Sequence, residues 1–310
     1  MRYLYNILII LTLSACNSED VEESTALGSS WDWKLTSVSE DLNGIAFGIG
    51  KFVAVGNSNG TNPRIIYSYD ANIWFLDTTF DTDTNMNLNS VAYNGVDTFM
   101  AVGDVGDYYT SSNGVSWTKQ TTLSNTPNLK KIIYANSQFV AVGTDYICSG
   151  TTQLSCTNEV GAFNDITYNG STFVAVGEAG LIFTSSTGTH NDFSKPWFTS
   201  GIDSLDILSI GVFDNTFYLS TNGTSSQQSL YSSSDGSTWT KIISENFNTF
   251  ALIQADDILI GGSTAGSFSY TRDFTTHKTS AYDVAGSVND LIFTSKIVSV
   301  GDSGLVLVSE

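Results

Sequence analysis

Phe52–Gly56 reads FVAVG, and close copies recur as FMAVG at Phe99–Gly103 and as FVAVG at Phe139–Gly143 and Phe173–Gly177. Weaker copies follow further along the chain: FYLST at Phe217–Thr221, DILIG at Asp257–Gly261 and KIVSVG at Lys296–Gly301. Successive copies are separated by about 40 residues. A fixed period of this length is typical of repeat architectures, so the chain is organised as an array of similar units.

One unit, Leu88–Gln120, shows what the repeat contains. Turn signals such as Asn94-Gly95 and Asn113-Gly114 separate short runs of strand-forming residues. Four such runs occur, at Ser90–Tyr93, Thr98–Val102, Tyr108–Ser111 and Ser116–Lys119. Four short antiparallel strands in about 40 residues form the blade of a β-propeller.

The first strands of the units have seven starts, at Leu42, Leu88, Leu129, Phe163, Leu205, Phe247 and Val288. The unit from Val288 has three strands, and Trp31-Asp32-Trp33-Lys34 resembles the fourth strand Ser116–Lys119 of an earlier unit. The sequence therefore predicts an all-β fold, a seven-bladed β-propeller with four-stranded antiparallel blades. Residues 31–37 are expected to close the ring by pairing with the final strand near Ser309.

The chain is strongly acidic, with Lys+Arg 12 against Asp+Glu 31 and a net charge of −19. This charge repels phosphate backbones, so nucleic acid is not expected as a partner. Apolar content of 41% and charged content of 14% indicate a globular protein. The negative charge would also keep the protein off anionic membranes unless a covalent anchor attaches it.

The N-terminus contains a candidate anchor. The apolar run Ile7–Leu13 is too short to cross a bilayer and has the proportions of a secretory signal. Leu13-Ser14-Ala15-Cys16 resembles the lipobox of bacterial lipoprotein signals, which implies that residues 1–15 are removed and Cys16 is lipidated. An ordinary signal peptide with an incidental cysteine is the alternative.

The segment after the cysteine fits the same expectation. Residues 16–30 are acidic and lack periodicity, which predicts a flexible tether before a propeller formed by residues 31–310. By resemblance to lipoproteins, Asn17 favours the outer membrane, with the propeller facing the periplasm or the cell surface.

Cys148 and Cys156 are the other two cysteines. An exported protein meets an oxidising compartment, where two thiols with a short loop between them can close a hairpin. A zinc site is disfavoured because His190 and His277 are distant and give poor ligand spacing. We therefore expect a disulfide between the two cysteines.

A second pattern lies between the third and fourth strands of several units. Ser233–Trp239 reads SSDGSTW, and Ser112–Trp117 and Ser68–Trp74 are related to it. These stretches resemble the Asp-box of sialidase-type (BNR) propellers, with one residue fewer between Asp and Trp. The implied role is structural: Asp or Asn binds backbone N–H groups, Gly adopts a left-handed conformation and Trp packs between blades. The residues concerned are Asp70, Trp74, Asn113, Trp117, Asp235 and Trp239.

The whole unit is similar to propellers related to the photosystem II assembly and stability factor, which implies an assembly role for residues 31–310. A sialidase would need three arginines to hold its substrate carboxylate, and beyond Arg2 the chain has only Arg64 and Arg272. Sialidase activity is therefore not expected. A catalytic triad is not expected, because neither histidine has a nucleophile near it in the sequence. A glycoside hydrolase that uses paired carboxylates is not excluded by the sequence.

Two rings of residues follow from the repeat, and both are expected around one mouth of the channel. The residues just after the second strands are Asn57, Asp104, Thr144, Glu178, Asn222, Gly262 and Asp302. The second residues of the first strands are Asn43, Asn89, Lys130, Asn164, Asp206, Asn248 and Asn289. The asparagine-rich ring is expected to tie adjacent blades by hydrogen bonds. The other ring is either a solvated acidic rim or a site for a basic peptide or a cation such as Ca²⁺.

Departures from the repeat are the better candidates for function. They are the acidic loop 77–87 with Asp81 and Asp83, the basic pair Lys130-Lys131, the Cys148–Cys156 segment and the insertion HNDFSKPW at residues 190–197. The candidate binding residues on the channel face are Asn57, Asp104, Glu178, Asp302, Lys130 and Lys131. We expect no catalytic residue and no required cofactor.

Together these features predict a monomeric, exported, lipid-anchored propeller that acts as a non-enzymatic scaffold for a protein or a glycan. Two alternatives remain from the sequence: a carbohydrate-active hydrolase that uses channel carboxylates, and a surface adhesin.

Overall fold

The computed structural model describes residues 30–77, 86–195, 202, 204–223, 228–243, 246–247, 249–281 and 285–309. Its regular structure consists of short β-strands and single turns of 3₁₀ helix. The strands of the first two units are β1 Asp32–Trp33, β2 Leu42–Gly48, β3 Lys51–Gly56, β4 Arg64–Ser68, β5 Phe75–Leu76, β6 Leu88–Tyr93, β7 Phe99–Gly103, β8 Tyr108–Ser111 and β9 Thr118–Lys119. The middle of the chain forms β10 Leu129–Ala135, β11 Gln138–Gly150, β12 Ser155–Tyr168, β13 Phe173–Gly177, β14 Ile182–Ser185, β15 Ile207–Phe213, β16 Thr216–Thr221, β17 Leu230–Ser233 and β18 Thr240–Ile243. The last strands are β19 Ala251–Ala255, β20 Ile258–Gly262, β21 Ser267–Thr271, β22 Lys278–Ala281, β23 Val288–Phe293, β24 Ile297–Gly301 and β25 Leu305–Ser309.

Antiparallel hydrogen bonding joins these strands into six sheets. Five sheets have four strands: β2-β3-β4-β5, β6-β7-β8-β9, β15-β16-β17-β18, β19-β20-β21-β22 and β1-β25-β24-β23. The sixth has five strands in the order β10-β11-β12-β13-β14. The chain is therefore an all-β propeller built on four-stranded antiparallel blades, with six blades and not the seven that the repeat count predicts.

The blade count differs from the prediction because of β12. Its first half pairs with β11, with Cys148 opposite Cys156, whereas its second half pairs with β13, with Tyr168 opposite Phe173. The third and fourth repeats therefore share one uninterrupted strand of 14 residues and form one sheet. Since this sheet supplies two first-strand segments, seven such segments still line the central channel.

Strand β1 closes the ring, as the sequence predicts. It pairs antiparallel with β25, with Asp32 opposite Val308 and Trp33 opposite Leu307. The backbone N–H of Lys34 extends the pairing by donating to Val306 O at 2.9 Å. The final sheet thus takes its fourth strand from the other end of the propeller sequence, which leaves the array without an open end.

The repeated FVAVG stretch is apolar throughout because both of its faces are buried. In β3, Ala54 packs into a cluster with Val298 and Val300 of the last sheet, whereas Val53 and Val55 pack into a cluster shared with the next sheet. Alternation of polar and apolar residues is expected only where one face of a sheet meets water. Each second strand therefore contributes buried side chains to the contacts with both neighbouring blades.

The glycine that ends this stretch is required by space. At Gly56, Gly103, Gly143, Gly177 and Gly301, a Cβ atom would lie 1.9–2.0 Å from the carbonyl oxygen of the residue that precedes the first strand of the same unit. Gly103, Gly177 and Gly301 have extended backbones that any residue can adopt, with φ of −163°, −170° and −169°. Close packing of the backbone onto the first strand, and not a special conformation, therefore selects glycine.

Among the described residues, no helix is long and apolar enough to cross a membrane.

Candidate functional site

Four asparagines at the start of the first strands each tie their blade to the next one, among the residues that the structure describes. Each side chain donates from Nδ2 to a backbone carbonyl of the following first strand: Asn43 to Leu88 at 2.9 Å, Asn89 to Leu129 at 2.9 Å, Asn164 to Ile207 at 2.9 Å and Asn289 to Leu42 at 3.1 Å. The Asn289 bond crosses the seam between the last and the first sheet. These bonds confirm the predicted role of the ring; Asn248 lies outside the described residues.

The acidic residues after the second strands belong to the same network. Asp104 accepts from Asn89 Nδ2 at 3.0 Å and from Asn87 Nδ2 at 3.1 Å. Asp302 accepts from Asn289 Nδ2 at 3.0 Å and from the backbone N–H of Ser287 at 2.8 Å. Both carboxylates use their two oxygens to hold the loop that leads into the first strand.

The other candidates on this face have different surroundings. Asn57 accepts from Asn43 at 2.8 Å and donates to Asp41 at 3.0 Å, so it is also part of the tie between strands. The Glu178 side chain is 57% exposed and lies 4.0 Å from Lys130 Nζ. Lys130 Nζ also donates to Asn164 Oδ1 at 2.8 Å, so it stays at the asparagine ring.

The two members of the basic pair separate. Lys131 points into the channel, where its Nζ donates to Asp290 Oδ1 at 2.8 Å, on a first strand of another sheet. The other oxygen of Asp290 accepts from the backbone N–H of Ile45 at 3.1 Å. The Lys131 side chain is 25% exposed and that of Asp290 is 6% exposed. The ion pair therefore joins the third repeat to the seam between the last and first sheets.

A second buried carboxylate lies on the same wall. Asp165 is 5% exposed. Its Oδ1 accepts from the N–H of Ile166 at 2.8 Å and its Oδ2 from the N–H of Ile210 at 2.9 Å, on the first strand of the next sheet. Like Asp290, it bridges two neighbouring first strands. Its hydrogen bonds within the described structure come from backbone groups, whereas the Lys131 ammonium bonds to Asp290.

These three side chains line a cavity of about 330 Å³ that is enclosed by the first strands of all the sheets. The lining starts at Lys131, Asp165 and Asp290 on three first strands, and one residue further along, at Ile45, Val91 and Ile210, on three others; it continues away from the asparagine ring. Beyond the charged residues the wall is mainly apolar and aromatic, with Phe47, Tyr93 and Tyr134 near the strand ends. The cavity therefore combines a charged interior with an apolar lining.

The electrostatics of the three groups are unequal. Burial raises the pKa of Asp165 to about 6, although the ammonium of Lys131 and the two backbone N–H groups oppose the shift. Burial lowers the pKa of Lys131, but the carboxylates of Asp290 and Asp165 outweigh it and leave the pKa above its ordinary value. At neutral pH the cavity therefore holds one ammonium and two carboxylates, one of which titrates close to neutrality.

Sequence reasoning found Lys131 but missed Asp165 and Asp290. The three residues occupy the same place in their repeats, just after the β-bulge of the first strand, where other repeats have Gly44, Ser90 and Ser209. The signal lay one residue beyond the asparagine ring: three repeats have a charged residue where the others have a small one. That contrast marks the position as specific to individual blades.

The turns between the third and fourth strands have the predicted local geometry. Asp235 Oδ1 accepts from the N–H groups of Ser237 and Thr238 at 2.7 and 2.8 Å, and Gly236 has φ of +74°. Asp70 and Asn113 make the same pair of bonds. Backbone N–H donors lower the pKa of Asp70 and Asp235, against the effect of desolvation. Trp74, Trp117 and Trp239 each pack in a cluster shared by two blades.

Another turn of this type was not predicted. Asp273 Oδ1 accepts from the N–H groups of Thr275 and Thr276, both at 2.9 Å, and His277 stands where the other turns have tryptophan. The His277 ring packs edge-on against Phe247 with centroids 5.7 Å apart. The turn was not predicted because the pattern is recognised by its tryptophan, and this turn has a histidine in that place.

Cys148 and Cys156 form the predicted disulfide between paired positions of β11 and β12. The next residue, Ser149, lies beside the inserted segment, with its Oγ 2.9 Å from His190 Nδ1. The sequence predicts no nucleophile near this histidine, whereas the structure places the Ser149 hydroxyl beside it. The backbone N–H of His190 donates to the same Oγ at 2.9 Å. Burial lowers the pKa of His190. Within the described structure no carboxylate completes a triad, and the contact anchors the insertion to the sheet; Trp197 and the loop residues Asp81 and Asp83 lie outside the described residues.

The two arginines of the propeller are far apart in the chain and are paired elsewhere. Arg64 Nη2 bonds to Glu40 Oε1 and Arg272 Nε to Asp257 Oδ2, both at 3.0 Å. Neither lines the channel cavity. Over the described ranges, no three His, Cys, Asp or Glu side chains are grouped so that they could hold a metal ion.

Comparison with known proteins supports the fold. Residues 149–291 match a family described as the DUF6242 beta propeller domain. YCF48 from Cyanidioschyzon merolae is similar in structure, with a TM-score of 0.71, 14% identity, and coverage of 91% of this chain and 99% of that chain. No curated protein matches the sequence.

Two further structures show how widely the fold is used. YCF48 bound to D1 peptide has a TM-score of 0.69 at 15% identity and covers 90% of this chain and 96% of that chain. Virginiamycin B lyase from Staphylococcus aureus has a TM-score of 0.70 at 9% identity and covers 90% of this chain and 99% of that chain. At these identities the likeness shows the β-propeller fold alone, and it includes both a peptide-bound protein and an enzyme.

Proposed function

We propose that this protein is a non-enzymatic binding scaffold, and that a segment of a partner protein enters the channel cavity. The observation that carries the proposal is the placement of Lys131, Asp165 and Asp290, which line the cavity at a position where other repeats have glycine or serine. The repeated residues serve the fold, whereas charged groups that occur in only some blades are the candidates for contact with a ligand. The D1 peptide bound by YCF48 supports the idea that a propeller of this shape can hold a peptide.

We also infer that the protein is attached to the outer membrane through Cys16, facing the periplasm or the cell surface. The lipobox-like Leu13–Cys16 and the acidic tether that follows support this inference. The expected result for Cys16→Ala is a shift of the protein from the detergent phase to the aqueous phase in Triton X-114 partitioning. A wild-type protein that already partitions into the aqueous phase would contradict lipidation. The turn hydrogen bonds of Asp70, Asn113 and Asp235 likewise support a relationship to Asp-box propellers.

Peptide selection tests the binding function directly. A phage library of random twelve-residue peptides would be selected against residues 17–310, and the enriched peptides synthesised and titrated. Thr167→Trp fills the cavity, because Thr167 lines it, whereas Thr118→Trp adds the same group to an exposed position on β9. We expect Thr167→Trp to abolish peptide binding and Thr118→Trp to preserve it. Failure to enrich any peptide, or equal affinity for both variants, would contradict the proposal.

The glycan and hydrolase alternatives have their own tests. A glycan array probed with the same two tryptophan variants distinguishes a channel-bound glycan from adhesion through the outer surface. A screen of glycoside substrates with wild type and Glu178→Gln tests turnover. Hydrolysis that the variant loses would favour the hydrolase, since a scaffold has no turnover to lose.

A further inference from the structure

We propose that the channel cavity receives the side chain of a lysine from the partner polypeptide, and that Asp165 pairs with its ammonium group. This inference rests on the proposed scaffold function and specifies the chemistry of the ligand.

The charge balance of the cavity favours a cation. One ammonium, that of Lys131, faces two carboxylates, those of Asp165 and Asp290, which leaves a net charge of −1 inside the channel. An incoming ammonium neutralises this charge, whereas an incoming carboxylate would double it. In a poorly solvated site such a difference decides which ligand can bind, because uncompensated buried charge is strongly unfavourable. The net charge of −19 on the whole chain attracts the same cation from a distance.

The hydrogen bonds show which carboxylate is available. Asp290 already receives the Lys131 ammonium on one oxygen and the Ile45 N–H on the other. Asp165 receives one backbone N–H on each oxygen. Because each carboxylate oxygen can accept more than one hydrogen bond, Asp165 keeps acceptor capacity for an ammonium donor. The pair formed by Lys131 and Asp290 shows that the channel accommodates an ammonium on an equivalent aspartate.

The lining suits the rest of a lysine side chain. The volume of about 330 Å³ lies within the range of about 300–1,000 Å³ found for ligand pockets. Lysine buries its aliphatic stem along apolar surface while its charged end seeks a polar partner. Phe47, Tyr93 and Tyr134 would contact the stem near the strand ends, and the faces of aromatic rings also attract cations.

Protonation of Asp165 couples binding to pH. The titratable groups that face the cavity are Lys131, Asp165, Asp290, Tyr93 and Tyr134. Burial raises the pKa of Asp165 to about 6, so this group changes charge between pH 7 and pH 5. A lysine side chain binds the ionised form better. Its affinity is therefore full above the pKa and is lost as the pH falls through it.

The test uses two small probes with the same stem, Nα-acetyl-lysine amide and Nα-acetyl-norleucine amide, titrated by ligand-observed NMR. At pH 7.5 we expect the lysine probe to bind at least about tenfold more tightly, which is the value of one charge-assisted hydrogen bond. Between pH 7 and pH 5 the lysine probe should lose about tenfold in affinity, as the ionised fraction of Asp165 falls from about 0.9 to about 0.1, while the norleucine probe is unchanged.

Asp165→Ser places at this position the residue that Ser90 and Ser209 already supply in other repeats, and it should abolish the preference for lysine. Asp32→Asn is the matched control, since it removes the same charge from a side chain that is 75% exposed on the outermost strand, and the preference should persist. In Lys131→Met the affinity for the lysine probe should rise, because the cavity has lost its own ammonium. The probe should therefore raise the melting temperature of this variant more than that of wild type.

Equal binding of the two probes by wild type, or an unchanged preference in Asp165→Ser, would overturn the proposal. If Asp165→Ser does not fold, the sign of the change in Lys131→Met decides. These outcomes are separate from the scaffold function itself. Selected peptides that bind in the channel without a lysine would contradict this inference and leave the scaffold function intact, whereas a failure to select any peptide would count against the scaffold function.

Discussion

Replacement of Trp31 by alanine should destabilise the whole propeller, because this residue anchors the strand that closes the ring. The Trp31 ring stacks on Phe268 with centroids 3.6 Å apart and an interplanar angle of 5°. It is 8% exposed and packs in a cluster with Ile297, Leu305 and Leu307 of the last sheet. Loss of such a side chain costs about 3–5 kcal/mol, and the melting temperature of a domain of this size falls by about 2–4 °C per kcal/mol. We therefore expect a drop of roughly 6–20 °C.

Trp33 provides the matched control on the same strand. It is 48% exposed, so Trp33→Ala removes the same ring from a half-exposed position and should cost only about 1–2 kcal/mol. Thermal melting followed by circular dichroism measures both variants, with urea titration as a check on the free energy of unfolding. Equal shifts for the two variants, or a shift below about 2 °C for Trp31→Ala, would refute the view that closure through β1 holds the ring.

Three further predictions concern the fold. Gly103→Ala should unfold the protein or cost several kcal/mol, because its Cβ would lie 1.9 Å from Asn87 O. Gly95→Ala is the control and should cost only about 1 kcal/mol, since Gly95 has a φ of +76° but open space around it. Equal urea midpoints for the two variants would contradict the steric explanation. Reduction of the Cys148–Cys156 disulfide, or a double substitution by serine, should lower the free energy of unfolding by about 2.5 kcal/mol, because the cross-link restricts the unfolded chain over a separation of 8 residues. An unchanged urea midpoint would contradict a stabilising role for the disulfide. The lowered pKa of Asp235 means that its contribution to stability is present above about pH 4 and is lost as the pH falls further. Asp235→Asn should therefore melt like wild type at pH 7, since Asn113 makes the same turn bonds, and should lose less stability between about pH 4 and pH 2; identical acid profiles would contradict this reasoning.

The architecture was predictable from sequence because its causes are local and repeated. The FVAVG stretch predicts the second strands, since a strand buried on both faces is apolar throughout. The similarity of residues 31–34 to the fourth strand of another unit predicts the closure. The blade count was wrong because the short link Thr157–Ala162 continues β12 as an extended strand, where other repeats have a loop. Whether such a link forms part of a strand or a turn depends on the strands on either side of it. The residues of the link alone therefore do not predict the outcome.

The site was predictable only in part, because its contacts cross the channel. Lys131 stands out as a cation on an acidic chain, but its partner Asp290 is 159 positions away and belongs to another sheet. Asp104 and Asp302 attracted attention as acids around the mouth, yet both are held by asparagines of their own blades. The difference between a structural and an available carboxylate lies in its hydrogen-bond partners, and for Asp165 and Asp290 some of these partners belong to other sheets.

Titration of the Asp165 side-chain carbon by ¹³C NMR is the decisive test of whether the channel holds a buried carboxylate whose charge is available to a cationic ligand. We predict an apparent pKa of about 6 for Asp165, well above that of the turn residue Asp235, and a lower pKa once the lysine probe is added. An Asp165 that titrates near pH 4, with no response to the probe, would contradict the account.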